Sequence, residues 1–460
     1  MFPRQTYESR RSNLISRFDG GLLLLLGNSE SPMNYADNCY PFRQDSTFLY
    51  YLGLDQPDLA AVMDVDAGTT VLFGDELTID HIVWMGDLPS LASRAERVGV
   101  TDTRPRGELA ELLGRAVTAG RAVHFLPPYR GETKLQLQHL LALAPEEVSQ
   151  EASVTFIQAV VAQRAHKSAE EVEEIERAVA TSVGMHETAI RMIRPGMREM
   201  DIAAAVESMA LAAGGRVAFP VIATINGQTL HNHFHGNTLS EGDLFLLDTG
   251  AETAMGYAGD LTTTFPVSPR FSQRQKTIQE IVLGAYDAAV AALAPGVPNR
   301  QVHFAACRAI FEGMKALGIM KGDTEEALAA GAHAMVMPHG IGHMMGLDVH
   351  DMENLGEAYV GYAGEARSTQ FGLKSLRLAR PLEPGFVLTV EPGIYFIPQL
   401  MDLWRAEGRH TSFIDYDELV KWKDFGGVRN EEDYLITPDG ARRLGPRKPQ
   451  TVEEIEKLRG

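Results

Sequence analysis

Cysteine is scarce in this sequence, since the 460 residues include only Cys39 and Cys307. The two are far apart and match no zinc-binding or redox-active spacing. Folds that depend on disulfides are rich in cysteine and belong to oxidising compartments. We therefore expect a reduced, cytoplasmic setting.

Long hydrophobic runs are also missing. The one conspicuous run is Leu22 to Leu26, flanked by glycines on both sides. A membrane-spanning helix needs about 20 apolar residues, so these five leucines predict a buried strand. Charged residues precede the run and no small-residue cleavage site follows closely, so we expect no secretory signal.

Positive charge is in deficit, with 42 Lys and Arg against 61 Asp and Glu and a net charge of −19. Such a surface repels the phosphate backbone of nucleic acids and the anionic surface of membranes. We therefore expect neither as a partner.

What remains is ordinary globular composition, with 45% apolar and 22% charged residues. The length is about three times that of a typical domain of ~150 residues, which favours two domains. Short apolar runs alternate with helical patterns over the first 150 or so residues, as in a small α/β domain. Ser168 to Glu171 form a capping box that begins a long helix. We predict two domains, residues 1–160 and residues 161–460.

The second domain contains an apparent internal duplication. Leu239-x-x-Gly242 followed by Asp248-x-Gly250 recurs 143 residues later as Leu382-x-x-Gly385 followed by Glu391-x-Gly393. Pro195-Gly196 and Pro295-Gly296 each separate two helical patterns. Chance similarity is the alternative. The pattern predicts two helix-helix-strand halves, each of which brings a strand-end carboxylate toward a shared centre.

Asp248 and Asp260 lie in a glycine-rich segment that reads as a hairpin. We predict that they stand opposite each other, with the turn centred at Ala254. Two carboxylates so near each other require a cation between them, although aspartates also stabilise turns structurally.

Three histidines follow within twelve residues: His339, His343 and His350. The spacing of the first two is that of a helical zinc pair, but the intervening glycines disfavour a helix. Glycines also let backbone and ligand approach closely, so the segment predicts a site rather than a helical zinc motif.

Two further carboxylates complete the set. Glu391 ends a predicted buried strand, and Glu431 follows Arg429. A salt bridge to an arginine would satisfy Glu391. The alternative is two divalent cations held by Asp248, Asp260, His343, Glu391 and Glu431. Oxygen ligands with one imidazole favour manganese, with cobalt, zinc or iron as substitutes.

This ligand set, in this order and context, resembles the dinuclear centre of the pita-bread metallopeptidases. Within that group the motifs LHNHFHGN, GLDVHDME, VLTVEPGIYFI and FGGVRNEED resemble those of the proline-specific enzymes, the aminopeptidase P and prolidase family. The amino-terminal motifs PFRQDSTFLYYLGL and HIVWMG resemble the creatinase-type domain of that family. The resemblance implies a small α/β domain followed by a pita-bread α+β domain with pseudo-twofold symmetry.

The resemblance also implies roles for further residues. His231 matches a histidine beside the proline site, His350 one near the scissile carbonyl, and His339 a supporting histidine. Arg429 matches the arginine beside the last ligand. Asn430 departs from the family pattern, which usually has an aliphatic residue there. Strand alternation turns Asn430 away from the metals, so we expect a change in packing only.

The implied reaction is two-metal hydrolysis of the bond before proline, with Glu391 as ligand and proton acceptor and His350 as donor to the carbonyl oxygen. Arg377 resembles the arginine that binds the proline carboxylate of the substrate in prolidases. Together with the long stretch between Tyr395 and Gly426, it favours a dipeptidase. The alternative is an aminopeptidase P acting on longer Xaa-Pro peptides. A creatinase-like hydrolase or a peptide-binding pseudo-peptidase, both without metal, is the remote alternative. We also expect a homodimer or a higher homo-oligomer, and no metal ligand from the first domain.

Overall fold

The computed structural model describes residues 1–460, which form two compact units. The first comprises Met1–Arg164 together with Met352–Tyr359, and the second comprises Ala165–Asp351 and Val360–Gly460. The predicted boundary at residue 160 therefore lies within the last helix of the first unit. None of the helices combines the length and the hydrophobicity that crossing a bilayer requires.

The first unit is an α/β domain built on one mixed sheet in the order β4-β3-β2-β1-β5. Its strands are β1 (Leu22–Leu26), β2 (Ala60–Asp64), β3 (Thr69–Phe73), β4 (Asp102–Arg104) and β5 (Val123–His124). Its helices are α1 (Arg4–Ile15), α2 (Ser46–Leu52), α3 (Ile79–Met85), α4 (Leu91–Glu96), α5 (Leu109–Thr118), α6 (Gly131–Leu141) and α7 (Val154–Arg164). The leucine run forms β1 as predicted, and Leu22 to Leu25 are all buried because both faces of the strand are covered.

The second unit is larger and combines long helices with four small sheets, in the orders β10-β8-β7, β11-β14-β15, β12-β13 and β6-β9. The helices are α8 (Ala169–Met192), α9 (Glu199–Ala212), α10 (Gln273–Ala292), α11 (Asn299–Ala316), α12 (Thr324–Ala330), α14 (Pro398–Ala406), α15 (Tyr416–Leu419) and α16 (Val452–Arg459). The short helix α13 (Glu357–Val360) belongs to the first unit except for its last residue. The strands are β6 (Arg216–Val217), β7 (Ile222–Thr224), β8 (Leu244–Thr249), β9 (Ala251–Glu252), β10 (Leu261–Pro266), β11 (Val387–Val390), β12 (Gly393–Tyr395), β13 (Gly427–Arg429), β14 (Glu432–Thr437) and β15 (Gly440–Arg443). Helix α8 begins at the predicted capping box, with both reciprocal hydrogen bonds present.

Matched hydrogen bonds confirm the duplication. The Gly196 N–H donates to the Leu239 carbonyl at 2.8 Å, and the Gly296 N–H donates to the Leu382 carbonyl at 2.8 Å. Both glycines have positive φ, 88° and 81°, which lets each helix pair turn sharply. In each half, the glycine in the turn between the two helices is thus hydrogen-bonded to a leucine that precedes a central strand, β8 or β11. Asp248 lies in β8, and Glu391 directly follows β11.

Candidate active site

The second unit contains a cavity of about 580 Å³. Every site residue predicted from the sequence lines it: His231, Asp248, Asp260, His339, His343, His350, Arg377, Glu391, Arg429 and Glu431. These side chains come from several strands and from the irregular segments between them, so the fold gathers residues that span most of the unit.

Asp248 and Asp260 belong to the β8–β10 hairpin, but the predicted register is wrong. Asp248 pairs with Thr262 rather than with Asp260. The loop closes around Gly256, whose φ is +83° and whose N–H donates to the Thr253 carbonyl at 2.8 Å. This geometry centres the turn one residue beyond Ala254 and shifts the register by two residues. A shift of two keeps each side chain on its face of the sheet, so both carboxylates still reach the cavity.

His343 lies on a non-helical segment beside β11, as the glycines predict. Its N–H donates to Thr389 Oγ1 at 3.2 Å, and a Cβ on the neighbouring Gly342 would stand 2.0 Å from the Thr389 carbonyl oxygen. Glycine is thus required for this close approach. His343 Nδ1 lies 3.0 Å from the Met344 carbonyl oxygen, which favours a proton on Nδ1 and a lone pair on Nε2. That Nε2 lies 3.4 Å from Asp260 Oδ2.

Asp260, His343 and Glu431 form the tightest part of the cluster. One donor atom from each lies within 4.8 Å of the others, and all three residues are buried. Glu391 Oε1 lies 4.0 Å from His343 Nε2. Glu431 reaches the centre because an isolated bridge pairs it with Thr262 of β10, and the Thr262 hydroxyl donates to Glu431 Oε2 at 2.7 Å.

The electrostatics of this cluster call for a cation. Burial, reinforced by the neighbouring carboxylates, raises the pKa of Asp260, Glu391 and Glu431 well above ordinary values. Asp260 Oδ1 is buried and has no hydrogen-bond partner. Buried carboxylates require pairing or ligation, and a set of oxygen donors with one imidazole fits divalent metal ions.

The arginine of the site pairs with Asp248 rather than with Glu391. Arg429 is buried, and its Nη2 donates to Asp248 Oδ2. Its Nε donates to Thr262 Oγ1 at 3.1 Å and its Nη1 to the Tyr395 hydroxyl at 2.9 Å. The salt-bridge interpretation of Glu391 is therefore wrong, since Glu391 faces histidines instead.

His339 supports the site from beside β12. Its Nδ1 lies 2.7 Å from the Gly340 carbonyl oxygen and its Nε2 lies 2.9 Å from the Tyr395 hydroxyl. Burial, together with the charge of Arg429, lowers the pKa of His339 to about 3. His339 is thus a neutral imidazole that joins Tyr395 to the cavity wall, where Nδ1 also lies 3.8 Å from Glu391 Oε2.

The remaining predicted residues also line the cavity. His350 packs against His343 with ring centroids 4.1 Å apart. His231 is exposed at the cavity edge, where desolvation and the charge of Arg429 lower its pKa. Arg377 is half-buried, follows the 3₁₀ turn Leu373–Ser375 and lines the same cavity. These residues therefore offer donors and a positive charge to a cavity whose buried ligand cluster is acidic.

Three supporting residues escaped the sequence analysis: Thr262, Tyr395 and Asp433. Thr262 and Tyr395 connect Arg429 to Glu431 and to His339. The buried Asp433 accepts at Oδ2 from the Asp260 N–H at 3.0 Å, and burial raises its pKa. Each lies in a strand whose apolar or β-branched pattern predicts a buried core position. The only signal in the sequence that could have identified these residues is a polar side chain within such a strand.

Asn430 corrects the expectation of a change in packing only. As predicted, it does not line the cavity. Its Oδ1 instead accepts from Lys448 Nζ at 2.7 Å, and the lysine is fully buried. The departure from the aliphatic pattern therefore provides an acceptor for an internal cation, because a buried ammonium group requires one.

Known proteins resemble this chain over most of its length. Residues 173–438 match the model of metallopeptidase family M24, and residues 7–124 match the aminopeptidase P N-terminal domain. The chain is 33% identical over 456 residues to the Xaa-Pro dipeptidase of Homo sapiens, covering 95% of this chain and 88% of that protein. It is 30% identical over 471 residues to the Xaa-Pro aminopeptidase of Escherichia coli, covering 99% and 97%.

Solved structures give the same result. An aminopeptidase of Pseudomonas aeruginosa, PepP, superposes with a TM-score of 0.83 at 30% identity, covering 100% of this chain and 98% of that one. Zinc-substituted Escherichia coli aminopeptidase P in complex with product superposes with a TM-score of 0.82 at 28% identity, covering 100% and 98%. The ligand-rich cavity, the two-unit architecture and these similarities together place the chain in metallopeptidase family M24.

Proposed function

We propose that this protein is a metal-dependent exopeptidase that hydrolyses the Xaa-Pro bond of dipeptides, that is, a prolidase. Its relatives named Xaa-Pro dipeptidase and Xaa-Pro aminopeptidase support the substrate class. The cavity supports it chemically, because buried carboxylates, an imidazole and the Arg377 guanidinium line the same cavity.

The cofactor in this proposal is a pair of divalent ions held by Asp248, Asp260, His343, Glu391 and Glu431, with manganese favoured. Bound divalent ions polarise a carbonyl and lower the pKa of a water molecule, which supplies the nucleophile for hydrolysis. The unpartnered Asp260 Oδ1 and the raised carboxyl pKa values support this ligand set.

The protein's own residues handle protons and position the substrate. Glu391, whose carboxylate lies 3.8 Å from His339 Nδ1 and 4.0 Å from His343 Nε2, accepts the proton released by the attacking water. His350, whose ring lies tilted against that of His343, donates to the carbonyl oxygen as negative charge develops there. His231, at the edge of the cavity, contacts the substrate beside its proline ring. Arg429 holds Asp248 in place and thereby fixes one side of the ligand cluster.

The observation that carries the dipeptidase assignment is the place of Arg377 on the cavity wall. The carboxylate of a dipeptide lies close to its scissile bond, so a guanidinium within the same cavity can bind it through two hydrogen bonds. A longer peptide has an uncharged amide at that position and gains no such pairing.

The second candidate is aminopeptidase P. It is favoured by the superposition of the complete chain on structures of that enzyme. Hydrolysis of Gly-Pro beside an Xaa-Pro-Yaa tripeptide, with manganese added, distinguishes the two. A kcat/KM at least tenfold higher for Gly-Pro supports prolidase, and the reverse preference supports aminopeptidase P.

A different measurement tests the remote alternative, a protein of the same fold that functions without metal. Activity on either peptide should disappear after chelation and return with manganese. Full activity in protein shown by elemental analysis to be metal-free would overturn the ligand assignment. The homo-oligomer and the cytoplasmic location stay predictions.

A further inference from the structure

A second cluster of metal-ligating side chains lies outside the cavity. His303 and Cys307 are one helical turn apart on α11, so they share a face of that helix, with His303 Nε2 3.4 Å from Cys307 Sγ. His333 comes from the 3₁₀ helix Ala332–Met335, and its ring centroid lies 5.9 Å from that of His303. One donor atom from each residue lies within 4.8 Å of the others, and none of the three lines the cavity.

His333 is the unusual member of this cluster. It is fully buried, and neither Nδ1 nor Nε2 has a hydrogen-bond partner. A neutral imidazole carries one donor and one acceptor nitrogen, and buried polar groups almost always find partners. An unpartnered histidine pointing toward a thiol and a second imidazole therefore requires an explanation.

We propose that His303, Cys307 and His333 form a structural binding site for a thiophilic metal ion of the zinc type. One thiolate and two imidazoles are ligands that zinc prefers, whereas the oxygen-rich set of the cavity suits harder ions. The observed N to S separation of 3.4 Å is close to the separation of about 3.6 Å that Zn–N and Zn–S bonds of about 2.1 and 2.3 Å produce in a tetrahedral site.

Protonation of the three groups is compatible with this site. Burial lowers the pKa of His303 and lowers that of His333 to about 4, so both imidazoles keep a free lone pair near neutral pH. Burial raises the pKa of Cys307, so the free residue is a thiol. Metal binding therefore forms the metal–sulfur bond and releases the Cys307 proton to solvent.

The site would tie two elements together. Helix α11 would be joined to the segment that leads toward His339, since His333 precedes that segment by a few residues. Its function is thus structural, and it is independent of which peptide the cavity accepts.

Cobalt substitution in the full-length protein tests the proposal. A thiolate ligand gives Co²⁺ an intense sulfur-to-metal charge-transfer absorption in the near ultraviolet, whereas carboxylate and imidazole ligands do not. Titration of chelated, thiol-reduced protein with Co²⁺ should produce this band, and Zn²⁺ should displace it.

Variants locate the ligand. Cys307→Ser should abolish the band, and His333→Gln should lower the cobalt affinity at least tenfold, whereas Cys39→Ser is the matched control that should leave the band unchanged. X-ray absorption on zinc-loaded wild-type protein should show zinc–sulfur scattering, a measurement that needs no variant to fold. No charge-transfer band and no sulfur scattering at saturating metal, or a band that survives Cys307→Ser, overturns the proposal, whether or not the protein cleaves Xaa-Pro peptides.

Discussion

Lys448 Nζ donates to Asn430 Oδ1 at 2.7 Å, and both side chains are fully buried. Asn430 stands between Arg429 and Glu431, so this internal cation is bound next to a predicted metal ligand in the chain. Burial lowers the pKa of Lys448 to about 8, although the nearby Glu432 and Glu431 oppose that shift. Because each side chain satisfies the other in the interior, the pair should act as a unit.

Asn430→Val should lower the free energy of unfolding by about 2–3 kcal/mol, because Lys448 loses its acceptor in the interior. Adding Lys448→Met should restore most of the loss, since removing both polar partners leaves neither unsatisfied. Urea unfolding of the wild type, both single variants and the double variant completes the cycle. Additive effects would contradict the coupling.

The same lysine predicts a dependence of stability on pH. A lysine whose folded pKa is about 8 binds fewer protons in the folded state than in the unfolded state between that value and its ordinary pKa of about 10.4. Stability therefore rises with pH in this window. Relative to the double variant Asn430→Val, Lys448→Met, the wild type should gain roughly 3 kcal/mol across it. Parallel stability curves for the two proteins would be the opposite result.

Thr262 and Thr263 offer a matched pair of tests on one strand. Thr262 donates to Glu431 and accepts from Arg429, whereas the buried Thr263 Oγ1 has no partner. Thr262→Val should reduce kcat/KM or metal affinity by about 10- to 100-fold, because groups that orient ligands have effects of that size. Thr263→Val should change neither, as steady-state kinetics at several manganese concentrations would show. Equal losses would mean that the strand tolerates no substitution and that Thr262 has no special role.

Arg377 should act on the substrate carboxylate. Arg377→Ala should lower kcat/KM for Gly-Pro by about ten- to a hundredfold, because it removes a charge-assisted contact of about 1.5–3 kcal/mol. An Xaa-Pro-Yaa peptide should lose much less, and Arg377→Lys should recover only part of the activity on Gly-Pro. The control is Arg380→Ala, since Arg380 lies outside the cavity and pairs with Glu383. Equal losses on both peptides would favour aminopeptidase P.

Metal removal should make the stability of the protein fall as the pH rises. Because the pKa values of Asp260, Glu391 and Glu431 are raised, the metal-free folded state binds more protons than the unfolded state. Its free energy of unfolding should therefore fall as pH rises from the ordinary carboxyl pKa of about 4. The metal-loaded protein should not show this fall, because the ions neutralise the carboxylates. Thermal unfolding of chelated and manganese-loaded protein at several pH values is the measurement, and identical profiles would argue against metal ligation by these groups.

The sequence by itself determined the features that depend on local chemistry. The leucine run predicted β1, Ser168 and Glu171 predicted the start of α8, and the glycine turns before β8 and β11 marked the two halves. The polar site residues that line the cavity were also identifiable, because motif context and residue type carry that information, but about half of the lining was not. Hairpin register was not, because the turn geometry at Gly256 set it.

Only the tertiary structure decided which polar side chains meet. Arg429 pairs with Asp248 rather than Glu391, and Lys448 reaches Asn430. His333 likewise comes to lie beside Cys307. Such contacts join residues far apart in the chain, and no local preference encodes them. They arise because the packed interior excludes water, so each buried charge or donor must find its partner among whatever the fold brings within a few ångströms.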